Sequence, residues 1–219
     1  ARIFTGAFIP PGADAVVMQE QVETTEVGVK LTQAISAGQW IRRKGEDIAP
    51  GQTVLTAGQR LRAQDLGLAA SIGLAQIPVW RPLKVAIFFT GDELCMPGES
   101  LPPGAIYNSN RYFLRGLLQG LGCQVTDFGI VPDQLAASRQ VLRQAAEQHD
   151  LILSSGGVSV GEEDHMKAAV IAEGELKLWQ IAIKPGKPLA FGRVAQSHFI
   201  GLPGNPVSAF VTFLLFVRP

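Results

Sequence analysis

"LILSSGGVSVGEEDHMKAAVIAE", residues 151–173, changes character twice. The apolar run Leu151-Ile152-Leu153 reads as a strand, three glycines and three carboxylates read as a turn, and the segment from Met166 reads as an amphipathic helix. Gly156, Gly157 and Gly161 let the backbone take unusual dihedrals and come close to a ligand, while a helix start presents N–H groups that favour an anion. Phosphate is the obvious guest. Glu162, Glu163 and Asp164 would repel it at contact distance unless a hard cation sits between and shares oxygens with both. The stretch therefore predicts phosphate together with magnesium.

Working outward, the same strand-then-helix rhythm fills the chain from residue 83 onward. Strand "KVAIFF" (84–89) precedes helix "SNRYFLRGLLQGLG" (109–122), strand "CQVTDFGIV" (123–131) precedes helix "QLAASRQVLRQAAEQH" (134–149), and "DLILSS" (150–155) precedes the helix from 165. Strand "LWQIAI" with its extension "PLAFGR", strand "HFIGL", and a last helix from about Pro206 follow. This alternation predicts an α/β fold, a parallel sheet between two layers of helix, over residues 81–219. Upstream, "RIFTGAFI", "DAVVMQEQVE" and "VGVKLTQAI" are short apolar or β-branched pieces between turn formers, predicting a small β-rich domain over 1–45. Residues 46–80 read as a connector in which "RAQDLGLAASIG" suits a short helix ended by Gly73.

Composition sets the class. With 219 residues, 47% hydrophobic, the chain can bury a sizeable core. Lys plus Arg equals Asp plus Glu at 19 each, so no net field draws it to nucleic acid or to an anionic membrane. The longest apolar run, Ala209 to Val217, is far short of the roughly 20 residues that span a bilayer; a cytoplasmic protein is the expectation. Cys95 and Cys123 lack metal spacing and read as free thiols. The chain opens without methionine in a strand-like run and stops after an apolar helix-like one, which predicts a piece of a longer protein.

Ligands of open α/β sheets bind outside the carboxyl ends of the strands, which selects four loops. They are Thr90-Gly91-Asp92-Glu93, the stretch Ser155-Gly156-Gly157 through Ser159 and Gly161, the lysine pair Lys184 and Lys187, and Pro203-Gly204-Asn205-Pro206. Lysines and helix starts would hold anionic oxygens, and carboxylates would hold the metal. Asn205 also has an ordinary account as a helix N-cap ahead of Pro206. Gly157-Val158-Ser159-Val160-Gly161 matches a hydrolase nucleophile elbow, but the acid and histidine such a site needs are badly placed: Asp164 and His165 lie too close in sequence, and His198 begins a strand.

Six pieces in this order, "RIFTGA", "RRKGEDI", "FFTGDEL", "SSGGVSVGEEDHMK", "AIKPGKPLAFG" and "GLPGNPVSAF", resemble the molybdopterin molybdenumtransferases, called MoeA in bacteria and matched by the E domain of gephyrin. The resemblance covers essentially the whole chain and implies a MogA-like molybdopterin-binding domain without the family's C-terminal β-barrel. It implies transfer of molybdenum from molybdate into adenylylated molybdopterin, with release of AMP and dependence on Mg2+. By matching motifs it implies catalytic roles for Glu93, Asp133, Asp164, Lys184 and Asp47, with Glu93 and Asp164 as metal ligands. Thr5 and Asp47 would complete the cleft, and Pro203 and Pro206 would shape it. Gln180 stands where a lysine often occurs, and Asn108 where some members carry aspartate. A homodimer and an adenylyltransferase partner are implied too. The alternatives are a pterin-binding module without insertion chemistry, as in molybdopterin adenylyltransferases or the competence-damage protein domain, and a scaffold.

Overall fold

The computed structural model describes residues 1–158 and 165–219, in two compact units, Ala1–Val79 and Trp80–Pro219. The second unit holds the sheet. Its strands are β3 (Lys84–Thr90), β6 (Gln124–Val131), β7 (Leu151–Ser155), β8 (Gly174–Gln180), β9 (Pro188–Val194) and β10 (Ser197–Leu202), after the hairpin strands β1 (Val22–Thr25) and β2 (Gly28–Leu31) of the first unit and with a small pair, β4 (Leu94–Cys95) and β5 (Ile106–Tyr107), between. The spatial order is β6-β3-β7-β10-β9-β8.

β3 explains why this sheet is central. Its residues alternate between two faces, and both are buried: Ala86 and Phe88 enter one cluster, Val85, Ile87 and Phe89 the other. β7 and β10 repeat the split, with Ile152 and Phe199 on the first side and Leu153 and Leu202 on the second. Such strands need continuous apolar runs, as parallel strands covered on both sides do. Helices α3 (Leu135–Ala146) and α4 (His165–Glu173) supply Leu142, Ala145, Met166 and Val170 to the first cluster. Helices α2 (Ser109–Gly120) and α5 (Pro206–Thr212), the latter continued by a π-turn over Phe213–Val217, supply Leu114, Leu118, Ala209 and Phe213 to the second. Three layers result, as the alternation predicts.

The sheet departs from a purely parallel one at a single strand, β9. β6, β3, β7 and β10 run parallel, whereas β9 pairs antiparallel with both β10 and β8. The segment read as one strand with an extension is two strands. The cause lies in the connection: only Ala195 and Gln196 separate β9 from β10, and two residues can join antiparallel strands but not parallel ones.

The first unit is built differently. β1 and β2 form an antiparallel hairpin whose residues are almost all exposed. Helix α1 (Ala63–Ser71) starts where the Arg62 N–H donates to Asp65 Oδ2 at 2.8 Å, and it ends where Gly73, at φ +87°, donates to the Ala70 carbonyl. The left-handed glycine cap expected at Gly73 is present. "RIFTGAFI" forms a turn and irregular chain instead of a strand.

Candidate functional site

Because β3, β7 and β10 are parallel neighbours, the loops after them open on the same edge, and there the second unit has a cleft of about 750 Å³. Thr90, Gly91 and Glu93 line it from β3, and Ser155, Gly156 and Gly157 from β7. Pro203, Gly204, Asn205 and Pro206 come from β10, and Asp133 from the loop after β6. Eleven of the sequence-selected residues thus meet in one place. Asp92, Lys184 and Lys187 are exposed and do not line it. Thr5 and Asp47 belong to the first unit, where Asp47 pairs with Arg42 at 3.2 Å. Ser159, Gly161 and Asp164, with Glu162 and Glu163, lie outside the described residues.

The glycine turn is shaped by its neighbour strand. Gly156 at φ +92° and Gly157 at φ +65° occupy left-handed backbone, and a Cβ on Gly156 would collide with the Thr90 carbonyl. Both glycines are therefore required for the close approach of β7's end to β3's end, before any ligand is considered. The Gly156 N–H is already committed, donating to the Leu202 carbonyl at 3.2 Å. This amide ties β7 to β10.

Side chains extend the tie. Ser155 Oγ donates to the Pro203 carbonyl at 2.9 Å, while Asn110 Nδ2 donates to Ser155 Oγ and to the Gly204 carbonyl, both at 2.8 Å. Nothing in the sequence reading singled out Asn110, which looks like one more polar residue at a helix start. Thr90 Oγ1, Asn108 Nδ2 and Asn110 Oδ1 are buried without a hydrogen-bond partner among the described residues. Such atoms cost on the order of 1–3 kcal/mol each and are uncommon in native folds. Three of the six such atoms among the described residues belong to side chains that line the cleft.

Two asparagines of the cleft wall also cap helices. Asn205 Oδ1 accepts from the Val207 and Ser208 amides at 3.1 and 3.3 Å, and Pro206 takes the first helical position, so the expected N-cap of α5 is in place. Asn108 Oδ1 accepts from the Arg111 amide at 3.2 Å and caps α2. A flap completes the cleft. Leu94 of β4 and Ile106 and Tyr107 of β5 line it; the Ile106 N–H donates to the Glu93 carbonyl at 2.8 Å, and Tyr107 Oη donates to the Glu99 carbonyl at 3.0 Å. The Glu93 backbone is held by this ladder while its carboxylate stays exposed. Strands of two residues carry no periodicity, which is why the flap was not foreseen.

The opposite edge of the sheet carries a short ion pair. Asp150, just ahead of β7, accepts from Arg81 at 2.7 and 2.6 Å and from the Lys84 amide at 2.8 Å. The Arg81 guanidinium and the amide hold its carboxyl well below the usual carboxylate range. This clasp joins the starts of β3 and β7. Cys95 and Cys123 are free, and burial pushes the Cys123 thiol up.

Among the described residues no group of three or more His, Cys, Asp or Glu is placed to hold a metal. The cleft does offer two carboxylates, Glu93 and Asp133. Among the described residues, no helix is long and apolar enough to cross a membrane.

The architecture of a mostly parallel sheet with a loop-built cleft at its carboxyl edge is matched by a known domain: residues 86–219 fit the family described as "Probable molybdopterin binding domain". Residues 1–73 fit "MoeA N-terminal region (domain I and II)", and the chain belongs to the MoeA family of molybdopterin molybdenumtransferases. The molybdopterin molybdenumtransferase of Haemophilus influenzae is 48% identical over 219 residues, covering 100% of this chain and 54% of that protein. Molybdopterin molybdenumtransferase 2 of Mycobacterium tuberculosis is 40% identical, covering 100% and 55%. The crystal structure of the molybdopterin biosynthesis MoeA protein of Pyrococcus horikoshii superposes with a TM-score of 0.80 at 32% identity, covering 99% of this chain and 52% of that one. The chain thus spans about half the length of the curated relatives it matches.

Proposed function

We propose that this chain is part of an enzyme that transfers molybdenum from molybdate into adenylylated molybdopterin, releasing AMP. The observation that carries the reading is the convergence, at one carboxyl edge, of Glu93 and Asp133 with the glycine turn after β7 and the proline turn after β10. A pterin with an anionic nucleotide tail needs a cleft that is apolar on one side and polar on the other; Leu94, Ile106 and Tyr107 supply the first, and the backbone-rich turns the second. Glu93 is set for a reacting group because its backbone is fixed in the flap ladder while its carboxylate is exposed. Asp133 faces the cleft from the β6 side. Glu93, with Asp164, would hold Mg2+, which when bound supplies positive charge to phosphate oxygens. Lys184, Lys187, Thr5 and Asp47 are proposed to act from loops and from the first unit, in a cytoplasmic homodimer that receives its substrate from an adenylyltransferase.

The test is incubation of the full-length protein with adenylylated molybdopterin, molybdate and magnesium, followed by chromatography of AMP. AMP release that needs both additions, and that falls by about two orders of magnitude in Glu93→Gln, is the expected result. Retained pterin without AMP release in any condition would leave a binding module and overturn the reading.

A further inference from the structure

Asn110 joins parts of the chain that are far apart in sequence. It sits at the second position of α2, 45 residues from Ser155 and 94 from Gly204, and its Nδ2 donates to both. The amide's orientation follows from chemistry: the Gly204 carbonyl can only accept, so the atom facing it must be the nitrogen. Ser155 Oγ passes the connection on to the Pro203 carbonyl, next to Gly204, which closes a small circuit through three cleft walls. The residue is 7% exposed and lines the cleft.

Helix initiation does not account for this residue, because Asn108 already caps α2. Stability does not account for it fully either, since its Oδ1 is left buried without a partner among the described residues. What the geometry does deliver is spacing. The glycine turn after β7 and the proline turn after β10 are set against each other, from the side, by one rigid amide.

We propose that Asn110 is a positioning residue that fixes the distance between the glycine turn at Gly156–Gly157 and the proline turn at Pro203–Pro206, so that one ligand can engage both. The ligand arm of the test rests on the molybdenum-insertion reading above; the structural arm does not. Both use the full-length protein with Asn110→Ala, Asn110→Asp and Ser155→Ala, measured well below the unfolding midpoint.

Expected is a fall in kcat/KM for AMP release of about tenfold to a hundredfold for each Asn110 variant, the scale on which small misplacements act. The double variant Asn110→Ala/Ser155→Ala should be no worse than Asn110→Ala within about threefold, because the two residues work as one unit. Hydrogen exchange in the ligand-free protein should quicken in peptides covering 154–158 and 202–206 and nowhere else. Exchange that quickens across the whole sheet would reduce Asn110 to a general core residue and overturn the proposal, as would unchanged exchange at the two turns. If the unmodified protein releases no AMP, the insertion reading falls, and exchange at the two turns still decides the role of Asn110. Should Asn110→Ala fail to fold, Asn110→Asp and Ser155→Ala carry the same measurements.

Discussion

The two units, drawn from one chain, bury their apolar residues to opposite extents. In Ala1–Val79 only Asp65 and Ala69 are buried, and Phe4, Phe8, Val27 and Trp40 lie largely exposed. In Trp80–Pro219 two buried clusters flank one sheet. Apolar content alone therefore does not make a core. Arrangement does: runs that alternate between two covered faces, as in β3, build layers, whereas short pieces divided by turns leave each apolar residue near the surface.

The sharpest way to break this contrast is a pair of phenylalanine truncations. Phe88→Ala opens a cavity in the second unit and should cost about 3–5 kcal/mol, read by denaturant unfolding. Phe8→Ala, at a residue 99% exposed, should change stability by less than about 0.5 kcal/mol. Equal effects would mean that the first unit buries Phe8 in solution. A second pair uses glycines with similar backbone. Gly12→Ala, at φ +85° with nothing near its missing Cβ, should lose only the roughly 1–2 kcal/mol of left-handed strain. Gly156→Ala carries that strain and drives its Cβ into the Thr90 carbonyl, so its melting temperature should fall further and the cleft should stop binding ligand.

Charge gives a smaller effect. The Asp150 carboxyl is depressed by Arg81 and the Lys84 amide, so its stabilisation is fully present above the unfolded value of about 3.9 and is lost as pH falls through the folded one. Asp150→Asn should lower the melting temperature at neutral pH and flatten its decline on acidification. A melting curve that keeps its acid slope in the variant would assign that slope to other carboxylates. Smallest is the cap: Asn205→Ala should cost about 1 kcal/mol, measured the same way.

The second unit was the legible one, for the same reason that it has a core. β3, β7 and β10 announce themselves as unbroken apolar runs, and the loops after them could be named because parallel neighbours open on one edge. What escaped depends on partners distant in the chain. Asn110 looks like helix-start filler until Ser155 and Gly204 are brought to it. The flap needs only two residues per strand. The antiparallel edge was misread because "LWQIAI" is strand-like beyond Gln180, where β8 ends opposite Pro188. In the first unit "RIFTGAFI" has strand composition but no partner to pair with inside that unit.

The strand order carries a consequence for synthesis on the ribosome. β10 lies between β7 and β9 although it is made after both, so the edge of Leu151–Ser155 stays open until residues 197–202 have emerged. A nascent chain halted before Ser197 presents an unpaired apolar strand edge, the kind that invites pairing with other chains. Synonymous codons that slow translation in the interval when Leu151–Ser155 has left the ribosomal exit tunnel and Ser197–Leu202 has not should therefore lower the soluble yield more than the same codons placed further downstream.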